Sequence, residues 1–341
     1  MKSRGKKVMA LVLGVALLLG SAAGLSAQKR LKVVNVPKFT GFIFFELAKA
    51  GSEQACKELN CDLTYIGTTT ADIEGQVQVY QNLVQQKPDV IVTAALDINA
   101  GVPVLKKMRQ QGTVVVTFDS DVAPAGRDIF VNMAPFEIQA KAMLESALVN
   151  NPAGGKVIWL APHPTTANFI SQKKALDDLI AKEPRFRVLN FIDTLYMEDD
   201  PEKSYKVSTS AMEAHPDLAG FISGSGMAIP AVNKAIQDTN RTGKVYATGF
   251  ALPSTMKTYL ANGVCKQYPL WSPYWFGYMA TWLGIEAKRG EIKITDGASV
   301  DIPNVGKRVI YNTPTGINAD LNMMMYFTKG HDDFDSATLM K

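Results

Sequence analysis

The sequence KVVNVPKFTGFIFFELAKA, at residues 32–50, joins a short β-branched run to a longer amphipathic segment, and repeats of this unit decide the fold. The β-branched runs predict strands, and the amphipathic segments between them predict helices. We predict strands at 32–36, 63–66, 90–94 and 114–118, and helices at 44–58, 73–86 and 100–111. This alternation is typical of a parallel sheet that is covered by helices.

The same alternation continues in the second half of the chain. It predicts strands at 156–160, 187–191, 219–223 and 245–249, and helices at 169–181, 202–214 and 229–237. Two similar α/β lobes in series are therefore expected. In such sheets ligands bind at the carboxyl ends of the strands, so the residues that follow each strand are the candidates for a site.

The first 27 residues have the features of a signal peptide. Four Lys or Arg residues within positions 2–7 precede an uncharged apolar run at 8–19, and small residues end at Ala27. We expect cleavage after Ala27 and export to the periplasm. A retained anchor is the alternative, although the apolar run is shorter than the roughly 20 residues that span a bilayer. The positive charges of this leader equal the whole-chain net charge of +4, so the mature chain is expected to be near neutral, without a charge that favours nucleic acid.

The cysteines and histidines favour neither a disulfide framework nor catalysis. Cys56 and Cys61 lie near a predicted helix end, and we predict packed thiols there, with a local bridge as the open alternative. Cys265 is read as a small hydrophobic residue. No histidine has a partner at metal-ligand spacing, so no metal, cofactor or enzymatic activity is expected; the histidines are His163, His215 and His331.

Several short motifs follow the predicted strands in a fixed order. They are Val36-Pro37-Lys38 with Gly41, Gly75-Gln76-Val77-Gln78, Thr117-Phe118-Asp119-Ser120-Asp121, Gly249-Phe250 with Pro253, and Leu270-Trp271. In order and spacing these segments resemble the type I periplasmic binding proteins of the ribose-binding class. Within that class they are most similar to the autoinducer-2-binding and rhamnose-binding subgroup. The resemblance runs through nearly the whole mature chain.

The resemblance implies two Rossmann-like lobes joined by three crossings of the chain, near Asn132, near Gln267 and between Ile302 and Tyr311. After the signal peptide at 1–27, the N-terminal lobe would take 28–131 plus 268–300, and the C-terminal lobe 132–267 plus 301–341. It further implies a monomeric solute-binding component of an ABC importer, with a sugar or polyol between the lobes and an inner-membrane permease as partner. A chemoreceptor is the alternative partner, and no nucleic acid is expected.

A sugar requires charged hydrogen-bonding groups for its hydroxyls and aromatic faces for its C–H surface. In the autoinducer-2 binders, a lysine and an aspartate matching Lys38 and Asp119 contact the ligand. Of Asp119 and Asp121, one is expected to brace the loop, and Asp119 is the favoured binder. The complete predicted ligand-binding set is Lys38, Phe39, Phe42, Asp119, Asp121, Asn168, Gly226, Met227, Phe250 and Trp271.

The sequence also departs from the autoinducer-2 binders. It has Ala167-Asn168 in place of their Asp-Gln pair, Gly224 and Gly226 in place of a proline and an alanine, and Ser272 in place of an acidic residue. Losing carboxylates changes the hydroxyl pattern that a pocket can satisfy. A pentose, deoxyhexose or polyol is therefore the expected ligand, and a role as an autoinducer-2 receptor in uptake or chemotaxis is the alternative.

Overall fold

The computed structural model describes residues 30–329, and its largest sheet contains eight strands. Five parallel strands from the start of the chain occupy one side of this sheet in the order β5-β4-β3-β1-β2. They are β1 (Leu31–Val36), β2 (Cys61–Tyr65), β3 (Val90–Thr93), β4 (Val114–Phe118) and β5 (Ile129–Asn132). The connecting helices are α1 (Ile43–Glu58), α2 (Ile73–Gln86) and α3 (Val102–Gln110). The predicted parallel α/β architecture is thereby confirmed.

A second sheet contains four parallel strands in the order β7-β6-β8-β9. They are β6 (Gly155–Ala161), β7 (Leu189–Tyr196), β8 (Leu218–Ser223) and β9 (Tyr246–Gly249). Its helices are α4 (Phe136–Asn150), α5 (Ala167–Lys182), α6 (Pro201–Ala214), α7 (Ala228–Asp238) and α8 (Pro253–Ala261). No helix within the described residues is long and apolar enough to cross a membrane.

The last third of the chain contributes to both lobes. Helix α9 (Pro273–Arg289) returns to the first sheet and packs against α1, β3 and β4. Strands β11 (Ser299–Ile302), β12 (Gly306–Thr313) and β13 (Gly316–Asp320) extend that sheet beyond β5. Strand β10 (Gln267–Leu270) pairs in antiparallel fashion with β14 (Met325–Thr328) in a separate two-stranded sheet.

Residues 301–320 were expected in the C-terminal lobe, but the strands that they contain belong to the sheet of β1–β5. The physical reason is strand pairing: β13 runs parallel to β5, with Asn318 opposite Phe130, and β12 and β11 are added to it in antiparallel fashion. This pairing supplies the hydrogen bonds that the edge of β5 would otherwise lack.

Two glycines allow α1 and α9 to touch through their backbones. A Cβ atom added at Gly51 would lie 1.9 Å from the carbonyl oxygen of Tyr274, and one at Gly277 would lie 1.9 Å from that of Ala48. No larger side chain fits at these distances. The close contact holds α1, and with it the loop at 37–42 that precedes α1, against the first sheet.

Cys56 and Cys61 form a disulfide, so the prediction of packed thiols is wrong. Helix α1 ends at Glu58 and β2 begins at Cys61, and the reversal between them brings the two Cα atoms to 4.8 Å. That separation is within the range of disulfides, and the sequence alone could not provide it. Cys265 is a free, buried thiol, in accord with its reading as a small hydrophobic residue.

Candidate ligand-binding site

A cavity lies between the two lobes, where the carboxyl ends of their strands face each other. It contains about 480 Å³ of empty space, a volume that includes space open to solvent. Of the predicted ligand residues, those that line it are Lys38, Phe39, Phe42, Asp119, Asn168, Gly226, Phe250 and Trp271. The structure therefore brings together side chains that follow β1, β4, β6, β8, β9 and β10.

An ion pair lies in the wall of this cavity. The Lys38 Nζ atom is 3.0 Å from Asp119 Oδ2, and the two side chains are only 5% and 10% exposed. Lys38 Nζ also lies 5.7 Å from the ring centroid of Phe169, a favourable position for a cation. Asp119 has a left-handed backbone conformation with φ of 61°. Such a conformation is costly for most residues and is often found at binding sites, where the surrounding structure holds it in place.

Two buried polar atoms in the cavity wall have no hydrogen-bond partner among the described residues: Oδ1 of Asn168 and Nε1 of Trp271. Asn168 lies in the first turn of α5, and Trp271 follows β10 directly. A buried polar group that lacks a partner costs about 1–3 kcal/mol. A ligand that offers both a donor and an acceptor would relieve this cost at the two atoms.

Aromatic rings form most of the remaining wall. The rings of Phe250 and Trp271 meet edge to face with centroids 4.6 Å apart, and Phe44 meets Trp271 in the same way at 5.7 Å. Phe39 stacks on Phe42 at 5.8 Å, and Phe42 in turn stacks on Phe44 at 6.2 Å, which joins these rings to the same cluster. These contacts hold each ring in a fixed orientation, so the cavity presents rigid apolar faces to a ligand.

Two predicted ligand residues lie outside the cavity. Asp121 accepts hydrogen bonds from the Arg127 guanidinium, at 2.7 Å to the nearest nitrogen, and from the Thr117 hydroxyl at 2.5 Å. It therefore braces the loop after β4, which is the role that one of the two aspartates was expected to have. Burial raises the pKa of Asp121, and the adjacent Arg127 opposes that shift. Met227 lies at the start of α7 and lines an outer groove.

The sequence prediction missed Asp199 altogether. Asp199 lines the cavity and accepts a 2.7 Å hydrogen bond from the hydroxyl group of Ser225, which it also missed as a site residue. Burial raises the pKa of Asp199, the positive charge of Lys38 lowers it, and the negative charge of Asp119 raises it slightly. Strand β7 was predicted to end at Phe191 but continues to Tyr196. Residues that follow a strand are the candidates for the site. A correct prediction of the end of β7 would therefore have included Asp199 among them.

Other missed residues add apolar surface or backbone to the wall. They are Phe44, Phe45, Phe169, Gly224, Ala251, Leu252 and Leu270. The first two lie within α1, where an aromatic residue in a helical pattern cannot be distinguished from a core residue. The others adjoin residues that the strand-end rule had already identified.

The fold has counterparts in known proteins. A family model described as a periplasmic binding protein domain matches residues 33–292. The chain belongs to the periplasmic binding protein family. The resemblance expected from the motifs is thereby confirmed. Among curated proteins, the D-ribose/D-allose-binding protein of Pseudomonas aeruginosa is 25% identical over 202 residues, which are 56% of this chain and 60% of that relative. The match thus spans less than two thirds of the relative's length.

Solved structures of other periplasmic binding proteins have the same fold. An ABC transporter solute-binding protein from Clostridium phytofermentans with bound L-rhamnose has a TM-score of 0.86 and 23% identity, over 91% of this chain and 99% of the other. LsrB from Clostridium saccharobutylicum, in complex with AI-2, has a TM-score of 0.81 and 26% identity, over 89% of this chain and 99% of the other. The first likeness shows the two-lobed fold of the present chain.

Proposed function

We propose that this periplasmic binding protein is the solute-binding component of an ABC importer and binds a small sugar or polyol between its lobes. The observation that carries the proposal is the buried Lys38–Asp119 pair in an aromatic cavity. Hydroxyl groups can donate to Asp119 and accept from Lys38, and charged partners make such hydrogen bonds strong. The aromatic faces suit the C–H surface of a sugar.

Contacts between the lobes support a closed form of the cleft. The backbone N–H of Ile98 donates to the carbonyl of Thr165 at 3.2 Å, and the Thr166 hydroxyl donates to the carbonyl of Leu96 at 3.3 Å. Each bond joins a loop of the N-terminal lobe to a loop of the C-terminal lobe. In the proposed mechanism these bonds break when the cleft opens, and the ligand enters before they form again.

The proposed hinge consists of the three crossings at 132–136, 270–273 and 320–325. We assign 30–132 and 271–320 to the N-terminal lobe, and 133–270 with 321–329 to the C-terminal lobe. Each crossing is short, so a small number of backbone torsions would change on opening. The lobes themselves would move as rigid bodies because each has its own sheet and helices.

Membership in the family implies an extracytoplasmic location. The proposed route is export by a signal peptide at 1–27, which lies outside the described residues. The proposed partner is an inner-membrane permease that receives the sugar from the closed protein. A chemoreceptor is the alternative partner, since it could bind the same closed form.

Autoinducer-2 is the second candidate ligand. It is favoured by the likeness to LsrB in complex with AI-2 and by the ion pair of Lys38 and Asp119. The carboxylate that the autoinducer-2 binders would have at Ala167 is missing from that position. For this reason a sugar is the first candidate.

A thermal-shift screen with D-ribose, D-allose, L-rhamnose, D-arabinose and autoinducer-2 tests the proposal. A ligand at 100 times its dissociation constant stabilises the folded protein by about 2.7 kcal/mol. We expect one of the sugars to raise the midpoint of wild-type protein. Asp119→Asn should lose this shift, because Asp119 lines the cavity, whereas the control Asp177→Asn should keep it. Asp177 is an exposed residue on α5 that pairs with Lys173.

The outcomes separate the two candidates. A shift by autoinducer-2 alone would identify a receptor for that signal and contradict the sugar proposal. A protein that responds to none of these compounds contradicts both. A sugar shift that survives Asp119→Asn would place the sugar outside the cavity described above.

A further inference from the structure

Asp199 lies on a turn whose backbone conformation is unusual. Glu198 and Asp199 both have left-handed conformations, with φ of 57° and 51°. Two such residues in succession are costly outside glycine, and the surrounding structure must hold them. Two hydrogen bonds hold this turn. The N–H of Glu198 donates to the carbonyl of Pro162, and the N–H of Asp199 donates to Met197 Sδ. The turn aims Asp199 at the cavity instead of continuing β7.

A second set of hydrogen bonds fixes the carboxyl group of Asp199. Its Oδ1 atom accepts from the Ser225 hydroxyl at 2.7 Å. The oxygen of that hydroxyl accepts in turn from the backbone N–H groups of Met227 and Ala228, at the start of α7. Ser225 is therefore held by a helix terminus and directs its proton toward Asp199. This arrangement positions one carboxylate oxygen before any ligand arrives.

The charges around the cavity do not balance. Among the residues that line it, Asp119 and Asp199 are the two acidic groups and Lys38 has the one ammonium group. The pKa of Asp199 is raised, mainly by burial and further by the charge of Asp119, although the charge of Lys38 and the hydrogen bond from Ser225 oppose this. The wall also has an unpaired acceptor in Asn168 Oδ1 and an unpaired donor in Trp271 Nε1. Two carboxyl groups therefore face one ammonium group among these side chains. A ligand that donates hydrogen bonds is favoured, and a ligand that carries a negative charge is repelled.

We propose that Asp199 is a second ligand-binding carboxylate, which together with Asp119 selects a neutral ligand that donates hydroxyl hydrogen bonds to both. This inference rests on the proposed function and specifies its ligand class. Neutral sugars and polyols meet the requirement. Aldonates, uronates and sugar phosphates do not, because their charge would lie beside two carboxylates with one ammonium to offset them.

The test compares Asp199→Asn with Glu198→Gln. Asparagine tolerates the left-handed conformation and keeps the shape of the side chain while removing its charge. Glu198 is the matched control, since it lies on the same turn, is exposed and pairs with Lys203. The probes are L-rhamnose and D-ribose with their aldonates, L-rhamnonate and D-ribonate. Binding is measured by isothermal titration calorimetry, and the unfolding midpoint of each ligand-free variant shows that it is folded.

We expect wild-type protein to bind at least one neutral sugar and neither aldonate. Asp199→Asn should weaken the binding of that sugar by roughly 10- to 100-fold, which is the usual effect of losing a hydrogen bond to a charged group. Glu198→Gln should bind it as wild type does. A second variant, Ser225→Ala, should weaken the binding of the sugar by a smaller factor. In this variant Asp199 stays in the cavity wall but loses the hydrogen bond that fixes its orientation.

Three results would overturn the inference. If the dissociation constant of the sugar for Asp199→Asn is within threefold of the wild-type value, Asp199 does not bind the ligand. The proposed function would be unaffected by that result. An aldonate that binds wild type as tightly as its sugar would refute the ligand class. Wild-type protein that binds an aldonate but neither neutral sugar would refute both this inference and the proposed sugar function.

Discussion

Replacing Lys38 by methionine tests the electrostatics of the cavity most directly. Methionine is similar in length and unbranched, so Lys38→Met removes the charge and keeps most of the packing. The ammonium group is 3.0 Å from Asp119, and the Lys38 side chain is 5% exposed. Without it, Asp119 would have no cation partner among the described residues, and Asp199 would lose the positive charge that favours its ionised form.

The expected cost follows from the burial of the pair. Removing one member of a buried ion pair destabilises a protein by about 3–5 kcal/mol, because the other charge stays buried without compensation. We expect a loss near 4 kcal/mol in the free energy of unfolding. Adding Asp119→Asn to Lys38→Met removes the uncompensated charge, and asparagine tolerates the left-handed backbone at that position. The double variant should therefore recover at least half of the loss, with a remaining cost of about 1–3 kcal/mol for an unpaired amide.

Urea unfolding of ligand-free protein at neutral pH, followed by circular dichroism, measures both values. The control is Lys174→Met, which breaks an exposed pair with Asp178 and should cost less than about 1 kcal/mol. The reasoning is refuted if Lys38→Met costs no more than this control. It is also refuted if the double variant is less stable than Lys38→Met, because the loss would then not arise from the charge on Asp119.

Three further predictions concern the fold. Replacing Cys56 and Cys61 by serine should lower the free energy of unfolding by about 2 kcal/mol, from the loop entropy at a sequence separation of 5, and an unchanged urea midpoint would contradict this. Gly277→Ala should cost about 1–3 kcal/mol in the same assay, because its Cβ would overlap the Ala48 carbonyl, and a loss below about 1 kcal/mol would show that the helices can separate. Burial raises the pKa of Asp320 to about 6 from 3.8, so stability should fall as pH rises from about 4 to 6, where only the unfolded chain loses the proton. Asp320→Asn should abolish that slope and add about 1–2 kcal/mol at pH 7, and a slope that persists in urea titrations of the variant would assign it to another group.

The part of the site that the sequence predicted follows from one rule, the placement of ligand groups after parallel strands. Lys38 follows β1 and Asp119 follows β4, and both strands are short, mostly apolar runs that end visibly in the sequence. Trp271 instead follows β10, an antiparallel strand that the rule does not cover. Strand β7 is different because it lies at the edge of its sheet and only its first residue, Leu189, is fully buried. Its polar residues Asp193 and Thr194 conceal where it ends. Because the end of β7 was not predicted, Asp199 was not recognised as a residue that follows a strand.

The remaining errors concern contacts between distant segments. The disulfide depends on how α1 meets β2, and the third crossing depends on the pairing of β13 with β5, more than 180 residues away in sequence. A local pattern predicts that a segment is a strand but not which edge it extends. The predicted boundary between the lobes at residue 300 therefore came from the resemblance alone. The pairing of β13 with β5 places the strands that follow this boundary in the first sheet instead.

The different positions of Asp119 and Asp121 show the same dependence at the level of single side chains. The two residues follow the same strand, and neither position alone distinguishes a ligand group from a brace. Arg127 decides the matter, because its guanidinium binds Asp121 and also donates to the carbonyl oxygens of Thr315 and Ile317, from the segment around the start of β13. The loop after β4 is thus tied to the part of the sheet next to the third crossing.

This tie has a consequence for how ligand binding and closure would be coupled. Lys38 and Asp119 belong to the N-terminal lobe, whereas Asn168 and Asp199 belong to the C-terminal lobe. Since Arg127 anchors the loop of Asp119 and Ser225 holds Asp199, neither carboxylate can move far to meet a ligand while the lobes are apart. A ligand that needs both must therefore bring the lobes together. The affinity of the protein should then depend on residues at the three crossings as well as on those in the cavity.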